Sequence, residues 1–153
     1  MAETGKGASM NDITIRPLVW RDLDAIVKID QKVTGKQRDV FWQNKITSYS
    51  GLDPGACLVA ELDGEVVGFM FGERKYFEYG APQSGWIEII GIRPDLQHKG
   101  IGRLLAEALL GHFRRSHIGA VQTMVNPEDK NIMAFFEAMG FERGPLVNMQ
   151  RKL

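Results

Sequence analysis

Two stretches of this 153-residue chain bring together residue types that can do chemistry. The first is Gln97-His98-Lys99-Gly100-Ile101-Gly102-Arg103, which follows Ile90-Gly91-Ile92-Arg93-Pro94. An apolar strand ends, a polar turn follows, and glycines open an amphipathic helix. The first turn of a helix carries unpaired N–H groups and the positive end of the helix dipole, which together hold anions such as phosphate. Glycine lets a backbone approach such a group closely, and Lys99 and Arg103 add positive charge beside it. The same spacing also describes a helix start whose glycines only permit tight packing, and spacing alone leaves the two readings level. The second stretch is Trp86 to Ile92, a run of large and β-branched residues interrupted by the acid Glu88.

Rival chemistries fit less well. The chain has no G-x-x-x-x-G-K-[ST] loop for a nucleoside triphosphate, no G-x-G-x-x-G with a distant acid for a dinucleotide, and no G-x-S-x-G nucleophile elbow. His98 lies in the glycine loop, and His112 and His117 stand five residues apart rather than four, so no metal set is expected. Cys57 is the only cysteine and lies in an apolar run, which reads as a small buried hydrophobe rather than a reactive thiol. Lysine plus arginine equals aspartate plus glutamate, 19 each, so no global field draws the chain to nucleic acid or to an anionic membrane. No apolar stretch has the length of a membrane span, and the start lacks the apolar core of a signal peptide. Residues 1–10 read as a disordered leader, residues 11–153 as a single domain, and the expected compartment is cytoplasmic.

Hydropathy patterning supplies the elements that must carry these residues. Ile13 to Pro17 alternates as a strand; Leu23, Ile26 and Val27 recur at helical spacing, and a second helix is expected over Asp39 to Tyr49, with a loop from Gly51 to Gly55. Cys57 to Leu62 and Val66 to Phe71 flank Asp63-Gly64, a strong hairpin signal, and the second strand extends toward Tyr76. Trp86 to Ile92 reads as a central strand. Ile101, Leu104, Leu105, Ala108, Leu109 and Phe113 share one face of a long helix that Gly119 ends. Val121 to Val125 is a further strand, Asn126-Pro127 is expected to cap the next helix, and Phe141 onward reads as one or two terminal strands.

Gln97-x-x-Gly100-x-Gly102 after that strand end resembles the first motif of the GCN5-related N-acetyltransferases. A second block, Asn131-x-x-Ala134-x-Phe136-x-x-x-Gly140-Phe141, resembles that family's second motif, with Phe136 in the slot usually held by tyrosine. The chain end, Asn148 to Leu153, is similar to the family's last strand. The resemblance runs from Ile13 to the terminus in element order. It implies an α/β (α+β) fold, a mixed central sheet of about six to seven strands flanked by about four helices. It also implies acetyl-CoA as co-substrate. The pyrophosphate would lie on the backbone of His98, Lys99, Gly100, Ile101, Gly102 and Arg103 after Gln97, the pantetheine arm along Ile90 and Ile92, with Asn131 and Phe136 also at the cofactor.

Acetyl transfer to an amine needs the amine neutral. At pH 7 an α-amine of pKa ~8 costs about 1.4 kcal/mol to deprotonate, and a lysine of pKa ~10.4 about 4.6 kcal/mol. The resemblance places Glu88 where some members carry a catalytic side chain, so it is the expected general base, acting through a water; the alternative is a structural ion pair with Arg74 or Lys75. Strand alternation puts Glu88 on the same face as Ile90 and Ile92. The acceptor, a small-molecule amine or a peptide or protein amine, is expected beside Trp42, Lys45, Tyr49, Phe77, Glu78, Tyr79 and Trp86. A homodimer is compatible with this reading. Two other classes stay open: an acyl-CoA sensor without turnover, which Phe136 favours, and an interaction domain without a cofactor.

Overall fold

The computed structural model describes residues 9–76 and 82–153. Most of the expected leader, and the acceptor-side candidates Phe77, Glu78 and Tyr79, lie outside the described residues; Met10–Asp12 form a 3-10 turn. Five strands make one sheet in the order β1 (Ile13–Pro17), β2 (Cys57–Leu62), β3 (Glu65–Lys75), β4 (Ser84–Ile92), β5 (Val121–Thr123). The first four pair antiparallel and β5 joins β4 in parallel. Four helices complete the fold: α1 (Leu23–Thr34), α2 (Asp39–Leu52), α3 (Ile101–Arg115) and α4 (Lys130–Ala138).

Strand alternation sorts the core onto the two faces of the sheet. On one face α1 and α2 cover Cys57, Val59, Phe69 and Phe71 with Ile26, Ile29, Trp42 and Ile46. Trp42 is 2% exposed and packs edge-on against Phe69 and Phe71, so it belongs to the core and not to an acceptor surface. On the other face α3 and α4 cover Leu58, Val67, Met70 and Ile87 with Ile101, Leu105, Leu109, Phe113 and Phe136. Ile101, Leu105, Leu109 and Phe113 recur every four residues, the spacing of one helix face. Gly72 and Gly85 make room for that helix: a side-chain carbon at Gly85 would fall 2.7 Å from the Phe113 ring. This contact accompanies the start of β4 at Ser84, two residues before the expected Trp86.

Other departures from the sequence expectation have local causes. The sheet has five strands rather than six to seven, because residues 142–153 are exposed and form no strand. Gly144 and Pro145 interrupt the segment before its alternation begins. Asn126 and Pro127 do not start α4: Asn126 accepts from the Glu128 N–H at 3.0 Å and closes a turn, and Asp129 caps the helix by accepting from the Ile132 N–H at 3.2 Å. Helix α2 runs on through Gly51 to Leu52, beyond the expected Tyr49. No helix among the described residues is long and apolar enough to cross a membrane.

Buried carboxylates tie the segments around β1 and α1. Arg16 grips Asp22 through two nitrogens, at 2.8 and 2.9 Å, and reaches Glu61 on β2 at 2.9 Å. Burial alone would push the Asp22 carboxyl up; Arg16 and the Val19 N–H outweigh it and hold the carboxyl below the usual 3.8. Arg38 likewise holds Asp30 down. A carboxylate whose folded pKa is depressed contributes stability that is present above the unfolded value and lost as pH falls through the folded one. Asp22→Asn is therefore expected to flatten the loss of urea resistance between about pH 5 and about pH 2; an acid limb identical to the parent's would refute the assignment. Phe113→Ala removes a fully buried ring and should cost about 3–5 kcal/mol, read as a lower urea midpoint by circular dichroism.

Candidate active site

The site is organised by one extra residue. Phe71 pairs with Ile89 but Gly72 pairs with Ile87, so Glu88 is a β-bulge. A bulge reverses strand parity beyond itself. Before it, Gly85 and Ile87 turn their backbones toward β5: the Gly85 N–H donates to Ala120 at 3.0 Å, and the Thr123 hydroxyl donates to the Ile87 carbonyl at 2.9 Å. After it, the Arg93 N–H donates back toward β3, to Val67 at 2.8 Å. Ile90 and Ile92 therefore turn their backbones to the β5 side, where pairing has already ended at Ile87–Thr123. Their side chains join the α3 face, whereas Ile89 packs on the α1–α2 face. Glu88 keeps the parity of Trp86 and faces the α1–α2 side, so the expected shared face with Ile90 and Ile92 does not hold.

Beyond Thr123 the parallel strands separate. The gap is a cleft of about 190 Å³ lined by Glu88, Ile90, Thr123, Asn126, Ile132 and Phe136, among others. Phe136 is 5% exposed and forms an apolar wall, edge-on to Phe135 and Phe141. Asn131 is exposed on the first turn of α4 and is not among the lining residues; Asn126, which sequence spacing assigned to a cap, is.

The cleft adjoins the start of α3. Leu96 and Ile101 are buried and anchor the ends of an exposed turn, Gln97 to Gly100. His98 and Gly100 sit at φ of 61° and 88°, left-handed conformations that a glycine adopts without cost. The Gln97 amide donates to the Ile92 carbonyl at 3.2 Å, tying the turn to the end of β4. The first α3 hydrogen bond is Leu104 N–H to the Gly100 carbonyl. Among the described residues, no backbone carbonyl accepts from the N–H groups of His98 through Arg103. Gly102 faces inward, where a side-chain carbon would lie 3.3 Å from Phe135 and 3.6 Å from Ile90. Its small size thus serves packing, while the left-handed Gly100 shapes the turn. The Arg103 head group lies 3.3 Å from Glu107 on an exposed helix face, and Lys99 is exposed without an ion pair among the described residues.

On the opposite face, Glu88 meets Lys75. The Lys75 Nζ lies 2.5 Å from the Glu88 carboxylate, 3.4 Å from Glu73 and 4.5 Å above the Trp86 ring. Arg74 instead pairs with Asp53, which also meets His112 at 3.0 Å. Burial first, then Glu88 and Glu73, push the Tyr49 hydroxyl up to about 12. A second cleft, of about 370 Å³, is lined by Phe41, Asn44, Lys45, Tyr49 and Glu73 with Ser48 and Leu52. Glu73 escaped the sequence reading; its position at the open end of β3, two residues before Lys75, was the available signal.

The bulge and the smaller cleft lie beside β4, and the donor-rich helix start follows it, in one five-stranded sheet covered by helices. Solved structures share this fold. An aminoglycoside N-acetyltransferase AAC(6')-Iy in complex with CoA superposes with a TM-score of 0.79 at 18% identity, over 97% of this chain and 98% of that one. Ard1 from Thermoplasma volcanium superposes at 0.73 with 23% identity, over 86% and 83%. By sequence, a Nocardia farcinica L-2,4-diaminobutyric acid acetyltransferase is 29% identical over 63% of this chain and 49% of its own length. A Streptomyces coelicolor mycothiol acetyltransferase is 32% identical over 58% of this chain and 28% of its own. The chain thus spans half or less of the length of these curated relatives. The model of the Acetyltransferase (GNAT) family matches residues 20–141, from the turn before α1 through α4 to Phe141. With both motif regions inside that match and the bulged β4 between the clefts, the chain belongs to the Acetyltransferase (GNAT) family.

Proposed function

We propose that this chain transfers the acetyl group of acetyl-CoA to a primary amine by direct attack, with Glu88 as general base through a water. The observation that carries the proposal is the bulge. It turns the Glu88 carboxylate toward Lys75 and Tyr49 on the α1–α2 side while presenting the Ile90 backbone to the β4–β5 cleft, so the two reactants would meet across one strand. The unpaired N–H groups from His98 to Arg103 fit a pyrophosphate, and Ile90 and Ile92 fit the amide-bearing arm that leads from it. The Ile90 N–H is the donor best placed for the oxyanion. Phe136 bounds the cleft but has no proton to give. A thiol of pKa ~8.5 lies only about 1.5 units above neutral pH, so unassisted thiolate departure costs roughly 2 kcal/mol.

The acceptor cleft supports a cationic amine. Glu73 lines it and shares Lys75 with the neighbouring Glu88, while the ammonium of Lys45 already lies over the Phe41 and Tyr49 rings, which marks those faces as a cation site. Small-molecule amines and protein N-termini are both within this class.

Two observations favour a second reading, an acyl-CoA sensor without turnover. Lys75 already occupies Glu88, and Phe136 stands where a proton donor is usual. Release of free CoA in the presence of a panel of amines separates the two, since a sensor would bind acetyl-CoA and release none.

Glu88→Gln is expected to lower turnover by about 10²–10⁴-fold, the range a positioned base supplies, while calorimetry shows acetyl-CoA affinity near that of the parent. Turnover equal to the parent's at every pH would remove Glu88 as base. Charge reversal at the helix start, Lys99→Glu with Arg103→Glu, should weaken acetyl-CoA binding about tenfold or more at low salt, and less at high salt. Both side chains are exposed, so the thermal midpoint without ligand should stay close to the parent's. Unchanged affinity would place the pyrophosphate elsewhere.

A further inference from the structure

Helix α2 carries a ladder of cations and rings. Arg38 at its cap, then Phe41, Lys45 and Tyr49, recur at the spacing of neighbours on one helix face. The Arg38 guanidinium lies 4.4 Å from the Phe41 ring centre. The Lys45 ammonium lies 5.6 Å from the Phe41 ring centre and 5.4 Å from that of Tyr49. The two cations differ in their other partners. Arg38 is held by Asp30 at 2.6 Å, whereas among the described residues no carboxylate pairs with Lys45. The cations that reach this side from β3 are already paired, Arg74 with Asp53 and Lys75 with Glu73 and Glu88. Lys45 alone among these four has a positive charge held in place and left uncompensated.

The cleft that Lys45 lines is polarised. Tyr49 and Glu73 line it too, and Glu73 and Glu88 both raise the affinity of the Tyr49 hydroxyl for its proton, so this end is acidic. Lys45 stands four residues before Tyr49, about 6 Å along the helix axis. Contact with ring faces holds an ammonium by about 0.5–1 kcal/mol at an exposed site, and it leaves the three N–H donors free for an anion. The cleft, of about 370 Å³, therefore offers carboxylates at one end and a fixed ammonium one helical turn away. A diamine would bring its second positive charge to Lys45. The α-amine of a protein has an amide, not a carboxylate, at that distance. A molecule whose amine and carboxylate are a few bonds apart matches both ends.

We propose that the acceptor is a free amino acid, whose amine enters beside Tyr49, Glu73 and Glu88 while its carboxylate binds the Lys45 ammonium. Lys45 is then the residue that selects amino acids over simple amines and over protein N-termini. The fate of the amine rests on the acetyl-transfer reading; recognition of the carboxylate rests on the cleft alone.

Calorimetry on the full chain with CoA present, using matched probes, tests this. L-lysine and L-ornithine should bind about tenfold or more tightly than cadaverine and putrescine, the same molecules without the carboxylate. L-lysinamide, whose carboxylate is masked, should bind as weakly as cadaverine. Lys45→Met, which keeps the apolar stem, should abolish the preference and leave the diamines unchanged, and Lys45→Arg should keep it. Equal affinity for the matched pairs overturns the inference, as does a preference that survives Lys45→Met, or no binding of either amino acid at millimolar concentration. Release of CoA from acetyl-CoA on the same panel separates the two readings. Equal kcat/KM for amino acids and diamines overturns amino-acid selection and leaves acetyl transfer standing. A binding preference lost in Lys45→Met, with no CoA released on any probe, supports the carboxylate site and counts against acetyl transfer.

Discussion

The candidate site depends on a mismatch of one residue between β3 and β4. An antiparallel ladder fixes which backbone groups face which neighbour, and alternation fixes which side chains face which layer of helices. The extra residue at Glu88 breaks both rules at once. Upstream of it, odd-numbered residues of β4 serve β5 and the α3 face; downstream, even-numbered residues take over both tasks. Without the bulge, Ile90 and Ile92 would point their backbones at β3 and their side chains at Trp42 and Phe69. The glycine turn that follows β4 would then start from the wrong face of the sheet. Everything from the cleft to the start of α3 inherits its orientation from this position.

Charge is distributed unequally around the bulge. The cleft between β4 and β5 is walled by aliphatic and aromatic groups together with Glu88, Thr123 and Asn126, and adjoins bare backbone N–H groups. The opposite cleft is lined by Glu73 and Lys45, and beside it Glu73 and Glu88 share Lys75. The bridge from Lys75 to Glu88 and Glu73 is partly buried, with Trp86 beneath the ammonium. Such a cluster stays compact only while its charges compensate, and an arriving cation competes with Lys75 for the same oxygens. The resident lysine thus sets what an incoming amine must displace.

Local rules carried the sequence reading far. The Asp63-Gly64 hairpin, the fourfold spacing of α3 and the glycine turn each depend on nearby residues, and each stands where patterning puts it. What local rules missed depends on distant partners. Gly85 stands in a strand where Phe113, 28 positions later, leaves no room for a side chain. The bulge is invisible to alternation, since it is defined by the register of β3 and not by β4 itself. The cap expected of Asn126 falls to Asp129, three residues later, while Asn126 closes the turn before it and lines the cleft. The terminal alternation was legible as a strand, but nothing in the chain's own sheet pairs with it.

The cleft-side edge of β4 is closed at both ends by side chains. The Thr123 hydroxyl takes the Ile87 carbonyl, and the Gln97 amide takes the Ile92 carbonyl. Between these two stoppers, the Ile90 N–H and carbonyl and the Ile92 N–H remain open to the cleft. The edge is therefore a ruler of fixed length. Its three free main-chain groups offer pairing to an extended chain that carries amide groups at a spacing of one strand repeat.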